Sequence, residues 1–271
     1  MDKRPIGIFD SGLGGLSTVK AVLKKMPNED IIYFGDTQRV PYGSRSAKAI
    51  EKFASEDIAF LEQFDCKLII AACGTVSSVA VNATSNLKEP FIGVVKPAAK
   101  KAAKATKNGK IGIMATAATI NSGAYSKEVK KLLPNAEILG VSCPVLVTLV
   151  ENNWIDEDDS ISREIIKRYL DPILAQGADT IILGCTHFPH LAPIIQSVCG
   201  DGITLIDNGY EAALEAERTL KNLNIKNEEN RTGTIKYFVS DKAQNFSSIA
   251  KNLLGVDISN NVSVVEVAKA E

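Results

Sequence analysis

Short apolar runs alternate along the chain with longer stretches whose apolar positions recur every three or four residues. The runs Ile6–Phe9, Asp30–Phe34, Lys67–Ala72, Phe91–Val94, Lys110–Met114, Glu137–Val141, Thr180–Leu183, Thr204–Ile206 and Ile235–Val239 predict strands. Between them, Leu16–Lys25, Ala47–Gln63, Pro97–Ala105, Ser122–Leu132, Ser160–Gln176 and Gly209–Leu223 carry the helical period. Strands that alternate with helices in this way predict βαβ units and an α/β fold with a mainly parallel sheet. The polar stretch Asn222–Gly233 reads as an exposed loop.

Two of the strands end alike. Ile69-Ile70-Ala71-Ala72 runs into Cys73-Gly74-Thr75, and Ile181-Ile182-Leu183-Gly184 runs into Cys185-Thr186-His187. The first strand, Ile6-Gly7-Ile8-Phe9 before Asp10-Ser11-Gly12, has a counterpart in Ile111-Gly112-Ile113-Met114 before Ala115-Thr116. The pattern predicts two pseudo-symmetric α/β domains that meet across a cleft. Residues 1–97 plus 207–271 would form the first and 98–206 the second, bridged by the Lys- and Ala-rich helix Pro97–Lys107. The strand near Ile206 and the tail after it are expected to return to the first domain.

Composition narrows the classes. Apolar residues make up 45% and charged residues 23%, the balance of an ordinary globular protein. A formal charge of −1 leaves no global field to recruit nucleic acid or an anionic membrane. The longest apolar runs, such as Val141–Val150, are too short to span a bilayer. The N-terminal Met1-Asp2-Lys3-Arg4-Pro5 carries no signal-peptide core. Five cysteines without CxxC spacing fit a reducing, cytoplasmic compartment.

A lone cysteine after a buried strand is usually a small hydrophobic filler. Two of them at matching strand ends are a candidate pair of chemical groups. A strand end that feeds a helix N-terminus should also lower a thiol pKa, since backbone N–H groups stabilise the thiolate. Cys66, Cys143 and Cys199 lack that setting and are expected to be structural. His187, two residues past Cys185, can manage its proton, while His190 is expected to be structural. Cys185-x-His187-x-x-His190 also contains zinc-ligand types, but as a zinc signal it is weak. Asp10-Ser11-Gly12-Leu13-Gly14-Gly15 could cradle a phosphate or carboxylate, with Asp36 placed for a ribose. As a dinucleotide fingerprint it is incomplete, because Ser17 stands where the third glycine belongs. Pro41-Tyr42-Gly43-Ser44 reads as a turn, and Glu151 as a helix end.

Taken together, Asp10 to Gly15, Pro41-Tyr42-Gly43, Ala72 to Thr75, Gly112 to Thr119 and Leu183 to His187 resemble glutamate racemases, of the aspartate/glutamate racemase group. The resemblance implies two α/β domains with the active site in the cleft between them, no cofactor and no metal, and formation of D-glutamate for bacterial peptidoglycan. It implies Cys73 as the base acting on D-glutamate and Cys185 as the base acting on L-glutamate. Asp10 and His187 resemble the groups that flank each thiol, and Glu151 a third family carboxylate. Ser11, Pro41, Tyr42, Gly43, Gly74, Thr75, Thr116, Thr119, Thr186 and His187 fall where the family holds its substrate. Homodimers are common in that family.

One departure stands out, since the family places asparagine immediately after the first cysteine and this chain has Gly74. Loss of an amide donor to a charged substrate is worth about 1.5–3 kcal/mol, so restoring it by Gly74→Asn is expected to strengthen glutamate binding. The motifs hold almost no Arg or Lys, so dipoles rather than ion pairs are expected to bind the substrate. Racemisation takes a proton from one face of the α-carbon and returns one to the other, which calls for two acid/base groups. Three rival readings stay open at this point. They are a racemase for aspartate or another small acid, a ligand-binding protein on the racemase fold, and a dinucleotide-dependent oxidoreductase.

Overall fold

The computed structural model describes residues 2–85, 87–241 and 243–267. In chain order, the first half runs β1 (Ile6–Asp10), α1 (Leu16–Lys25), β2 (Ile31–Gly35), α2 (Ala47–Glu62), β3 (Leu68–Ala71), α3 (Gly74–Val79) and β4 (Phe91–Gly93). Helix α4 (Val95–Ala105) leads into β5 (Lys110–Ala115), α5 (Ala117–Ser122), α6 (Ala124–Leu132), β6 (Glu137–Ser142) and α7 (Pro144–Glu151). Then come α8 (Ser160–Ala175), β7 (Thr180–Leu183), α9 (Ala192–Cys199), β8 (Thr204–Asp207) and α10 (Asn208–Asn222). The chain closes with β9 (Ile235–Val239), α11 (Ala243–Leu254) and β10 (Val262–Val264).

Every strand pair among these residues is parallel. One sheet has the order β10-β9-β2-β1-β3-β4 and the other β6-β5-β7-β8. Four consecutive strands of the first, from its middle to the β4 edge, repeat the second one for one: β2-β1-β3-β4 answers β6-β5-β7-β8. The pseudo-symmetry expected from the paired motifs is therefore built into the topology, and β3 and β7 hold equivalent places. In each sheet the chain leaves a central strand, pairs on one side, then crosses to the other. The carboxyl ends beside that switch are where α/β sheets bind ligands.

The strands form because their residues leave water on both faces. β1 (IGIFD), β3 (LIIA) and β7 (TIIL) are buried at every position, as parallel strands covered by helices must be. Each fully buried Ile or Leu contributes about 1.5–3 kcal/mol relative to exposure. Side chains cap the helices that follow. Asp159 accepts N–H bonds from Ile161 and Ser162 at the start of α8, and Asp207 accepts one from Tyr210 at the start of α10.

Two expectations need correction. The strand near Ile206 does not return to the first sheet, since β8 pairs with β7, Ile206 opposite Ile182. The crossing is made by α10, which packs against α1 and α4. The stretch Asn222–Gly233 is irregular, as expected, but it is not simply exposed. Asn227 is buried, its N–H bonded to the Glu29 carboxylate, and Glu29 pairs with the buried Lys67 at 2.7 Å. A buried Glu–Lys pair with nothing beside it would be costly, so the segment folds down to satisfy it. No helix among the described residues is long and apolar enough to cross a membrane.

Candidate active site

The carboxyl ends of β1, β3, β5 and β7 surround a cavity of about 390 Å³. Both Cys73 and Cys185 line it, each delivered by the equivalent strand of its own half. Ser11, Pro41, Tyr42, Gly43, Gly74, Thr75, Thr116, Glu151, Thr186 and His187 line it as well. Ser44, Ala117 and Gly184, which lie inside quoted motifs without a role of their own, and Val40, Pro144, Val147 and Thr148, which lie outside them, complete the wall. Most of these come from α7 or flank a motif residue, and an apolar wall looks like ordinary core in a sequence. The volume suits a small molecule and is at the low end for ligand pockets.

Short helices begin at the cavity. Cys73 is the N-cap of α3, Thr116 caps α5 and accepts from the Thr119 N–H at 3.4 Å, and Pro144 opens α7. Their free N–H groups and dipoles favour carboxylates. No Lys or Arg is among the described residues lining the wall. Thr75, Thr116 and Thr119 form a ladder of hydroxyls with two 3.0 Å contacts.

The two thiols differ in surroundings. Cys73 Sγ lies 3.7 Å from Ser11 Oγ. Burial pushes the Cys73 thiol up to about 12, and the Asp10 carboxylate adds to the rise. The Val76 N–H and Ser11 act in the opposite sense and are outweighed. The helix N-terminus therefore does not leave this thiol with the lowered pKa expected from its position. Cys185 Sγ sits 3.6 Å from His187 Nδ1, and His187 Nε2 is 3.3 Å from Glu151 Oε1. Burial alone would lower the imidazole, but its bonds to Cys185 and Glu151 overcome this and raise it to about 10. His190 lies outside the wall, and burial, then His187 and Lys20, push it down to about 3.

Three expected site residues stand differently from expectation. Asp10 is fully buried behind the cavity, accepting from the Gly12 N–H at 3.0 Å and the Thr186 hydroxyl at 3.2 Å. It ties the loop after β1 to the loop that carries Cys185. Thr119 is buried behind Thr116 and does not line the wall. Tyr42 lines it, but its hydroxyl is turned away, bonded to Asp36 and 3.1 Å from Asp57. Arg39 bridges the same Asp36 and Asp57, together with Glu56. Asp36 is thereby engaged, and fully buried, rather than free for a ribose.

Removing the Tyr42 hydroxyl leaves buried carboxylates short of a donor. Tyr42→Phe is expected to destabilise the fold by about 1–3 kcal/mol, read as a lower denaturant midpoint at unchanged m-value. An unaltered midpoint would show that Arg39 and the Ser240 hydroxyl satisfy the acidic pair without Tyr42.

The glycine loop also serves packing rather than a phosphate. A Cβ on Gly14 would lie 2.4 Å from Thr186 Oγ1 and 2.5 Å from His187 Nδ1, so the bare backbone lets the second cysteine loop close down. Gly74 is a sharper case. A Cβ there would lie 2.2 Å from the Gly184 carbonyl oxygen, well inside the 3.0 Å that real Cβ contacts keep. The residue after Cys73 and the residue before Cys185 thus touch backbone to backbone. This reverses the expectation for Gly74→Asn, because a side chain would wedge the loops apart before it could donate to a substrate.

Known proteins resemble this chain in sequence and fold. A family model described as Asp/Glu/Hydantoin racemase matches residues 11–216. The glutamate racemase of Neisseria meningitidis serogroup A is 40% identical over 257 residues, covering 93% of this chain and 93% of the relative. A glutamate racemase isoform of Bacillus anthracis superposes with a TM-score of 0.93 at 35% identity, over 98% of this chain and 99% of the other. The glutamate racemase of Francisella tularensis, solved with D-glutamate, gives 0.91 at 32% identity over 100% of both chains. With sequence, topology and cavity in agreement, the chain belongs to the Asp/Glu/Hydantoin racemase family, as an amino-acid racemase.

Proposed function

We propose that this enzyme interconverts L- and D-glutamate with two cysteine bases, supplying D-glutamate for bacterial peptidoglycan. The observation that carries the reading is that Cys73 and Cys185 reach one cavity from equivalent strands of two opposed halves. The two halves are taken as residues 1–97 with 207–271, and 98–206. Glutamate as substrate is supported by the likeness to glutamate racemases at 40% identity.

From L-glutamate, Cys185 as thiolate takes the α-proton, and the electron pair delocalises into the α-carboxylate. Cys73, held as a thiol by burial and Asp10, gives its proton to the opposite face. Cys185 ends as thiol and Cys73 as thiolate, and the reverse reaction starts from that state. Helix N-termini and the Ser11, Thr75 and Thr116 hydroxyls stabilise the carboxylate charge as it grows, as preorganised donors do. The His187 imidazolium stabilises the Cys185 thiolate, and Glu151 steadies the imidazolium.

The test is incubation with a panel of L-amino acids in D₂O. Glutamate should acquire α-deuterium together with inversion, with no added cofactor. Exchange confined to aspartate would move the reading to the shorter diacid. Ligand-induced stabilisation without exchange would replace it by a binding role.

A further inference from the structure

Asn208, the first residue of α10, lies outside the cavity wall and outside every motif that carries the resemblance. It is completely buried, and its Nδ2 donates to the Tyr125 hydroxyl at 3.3 Å. Its Oδ1 is buried with no hydrogen-bond partner among the described residues. A buried amide left half satisfied is costly, so its retention calls for a compensating use.

Its neighbours supply one. The Asn208 Nδ2 lies 3.8 Å from the place where a Cβ on Gly74 would stand. The Tyr125 ring it holds comes within 3.1 Å of the corresponding point on Gly184. Gly184 in turn presses its carbonyl oxygen onto Gly74. A continuous seam therefore runs from Asn208 through Tyr125 and Gly184 to Gly74, and the residues next along the chain are Cys185 and Cys73. A carboxamide absent at position 74 is present beside it, brought from the end of β8.

We propose that Asn208, acting through Tyr125 and Gly184, is the positioning residue that sets the spacing of the two cysteine-bearing strand ends. The inference rests on the two-cysteine reading above. Asn208 does not touch substrate, so its effect falls on the approach of the two sulfurs to the α-carbon. Misplacement by about 1 Å at a reacting centre is enough to lower a rate by as much as 100-fold.

The experiment is a double-mutant cycle of Asn208→Ala and Gly74→Asn, with kcat and KM for glutamate and the thermal midpoint measured on every variant. Asn208→Ala is expected to lower kcat roughly two- to tenfold, the worth of one hydrogen bond, with KM nearly unchanged. Gly74→Asn should lower kcat as well, through its clash with the Gly184 carbonyl oxygen, and adding Asn208→Ala should cost less than the product of the two separate losses, because both act on the same seam. Losses that simply multiply, or an Asn208→Ala effect confined to KM, would overturn the proposal. Tyr125→Phe provides a second route that keeps the Asn208 side chain. It should reproduce the kcat loss, and Asn208→Ala added to it should cost little more. If the unmodified protein does not racemise glutamate, the function fails on its own. The seam is then judged by the thermal midpoints, where strict additivity would dispose of it.

Discussion

Cys73→Ser and Cys185→Ser are each expected to lower kcat for glutamate inversion by about 10²- to 10⁴-fold, the usual contribution of a positioned acid or base. A serine hydroxyl keeps the shape of the thiol, so the cavity and the fold should survive. What it loses is acidity, since an alcohol cannot hold the anion that each half-reaction requires. The two variants should be similarly impaired, because one turnover uses both groups once in either direction. Cys66, Cys143 and Cys199 supply the control. None of them lines the cavity, and serine at Cys199, the most exposed, should leave inversion intact. Chiral separation of the product with time decides the matter. Full turnover in either cavity variant would end the two-base mechanism and return the search to a single base.

Much of this arrangement was legible in the sequence, and the reasons are physical. Strands buried on both faces must be apolar throughout, so β1, β3, β5 and β7 stand out as continuous runs. The repeat of a cysteine after equivalent strands then placed the cavity. Helices α3 and α5 were not read as helices, because six residues cannot display a helical period and theirs are Thr-, Ser- and Ala-rich. Helix α11 is a different miss. Phe246, Ala250 and Leu253 are buried at helical spacing, so the signal was present and unread. Contacts between distant loops carry no local signal at all. Nothing near Gly74 in the chain announces that Gly184 closes on it, and so the glycine looked like a lost donor when it is a point of closure. The motif places Asp10 in the site, whereas its bonds to Gly12 and Thr186 link the loop after β1 to the loop that carries Cys185.

His187→Asn is expected to lower kcat from L-glutamate by about 10- to 100-fold, the worth of a hydrogen bond to a charged group, and kcat from D-glutamate by less. The asymmetry must be sought in kcat. L- and D-glutamate have equal free energies in water, so kcat/KM from the two sides stays equal in every variant. A larger fall in kcat from the L side is therefore accompanied by a matching fall in its KM. The reason for the asymmetry is that reaction from L-glutamate begins with the thiolate that His187 faces at 3.6 Å, whereas reaction from D-glutamate begins with Cys73. The same group links activity to stability through pH. Because the folded state raises His187 from 6.5 to about 10, its pairing stabilises the fold fully below pH 6.5 and is lost as pH rises through about 10. The unmodified enzyme should consequently lose stability across that window, and His187→Asn should flatten the loss. Equal falls in kcat from both enantiomers, with the pH dependence of stability unchanged, would leave His187 a space-filling residue and Cys185 without a partner to hold its charge.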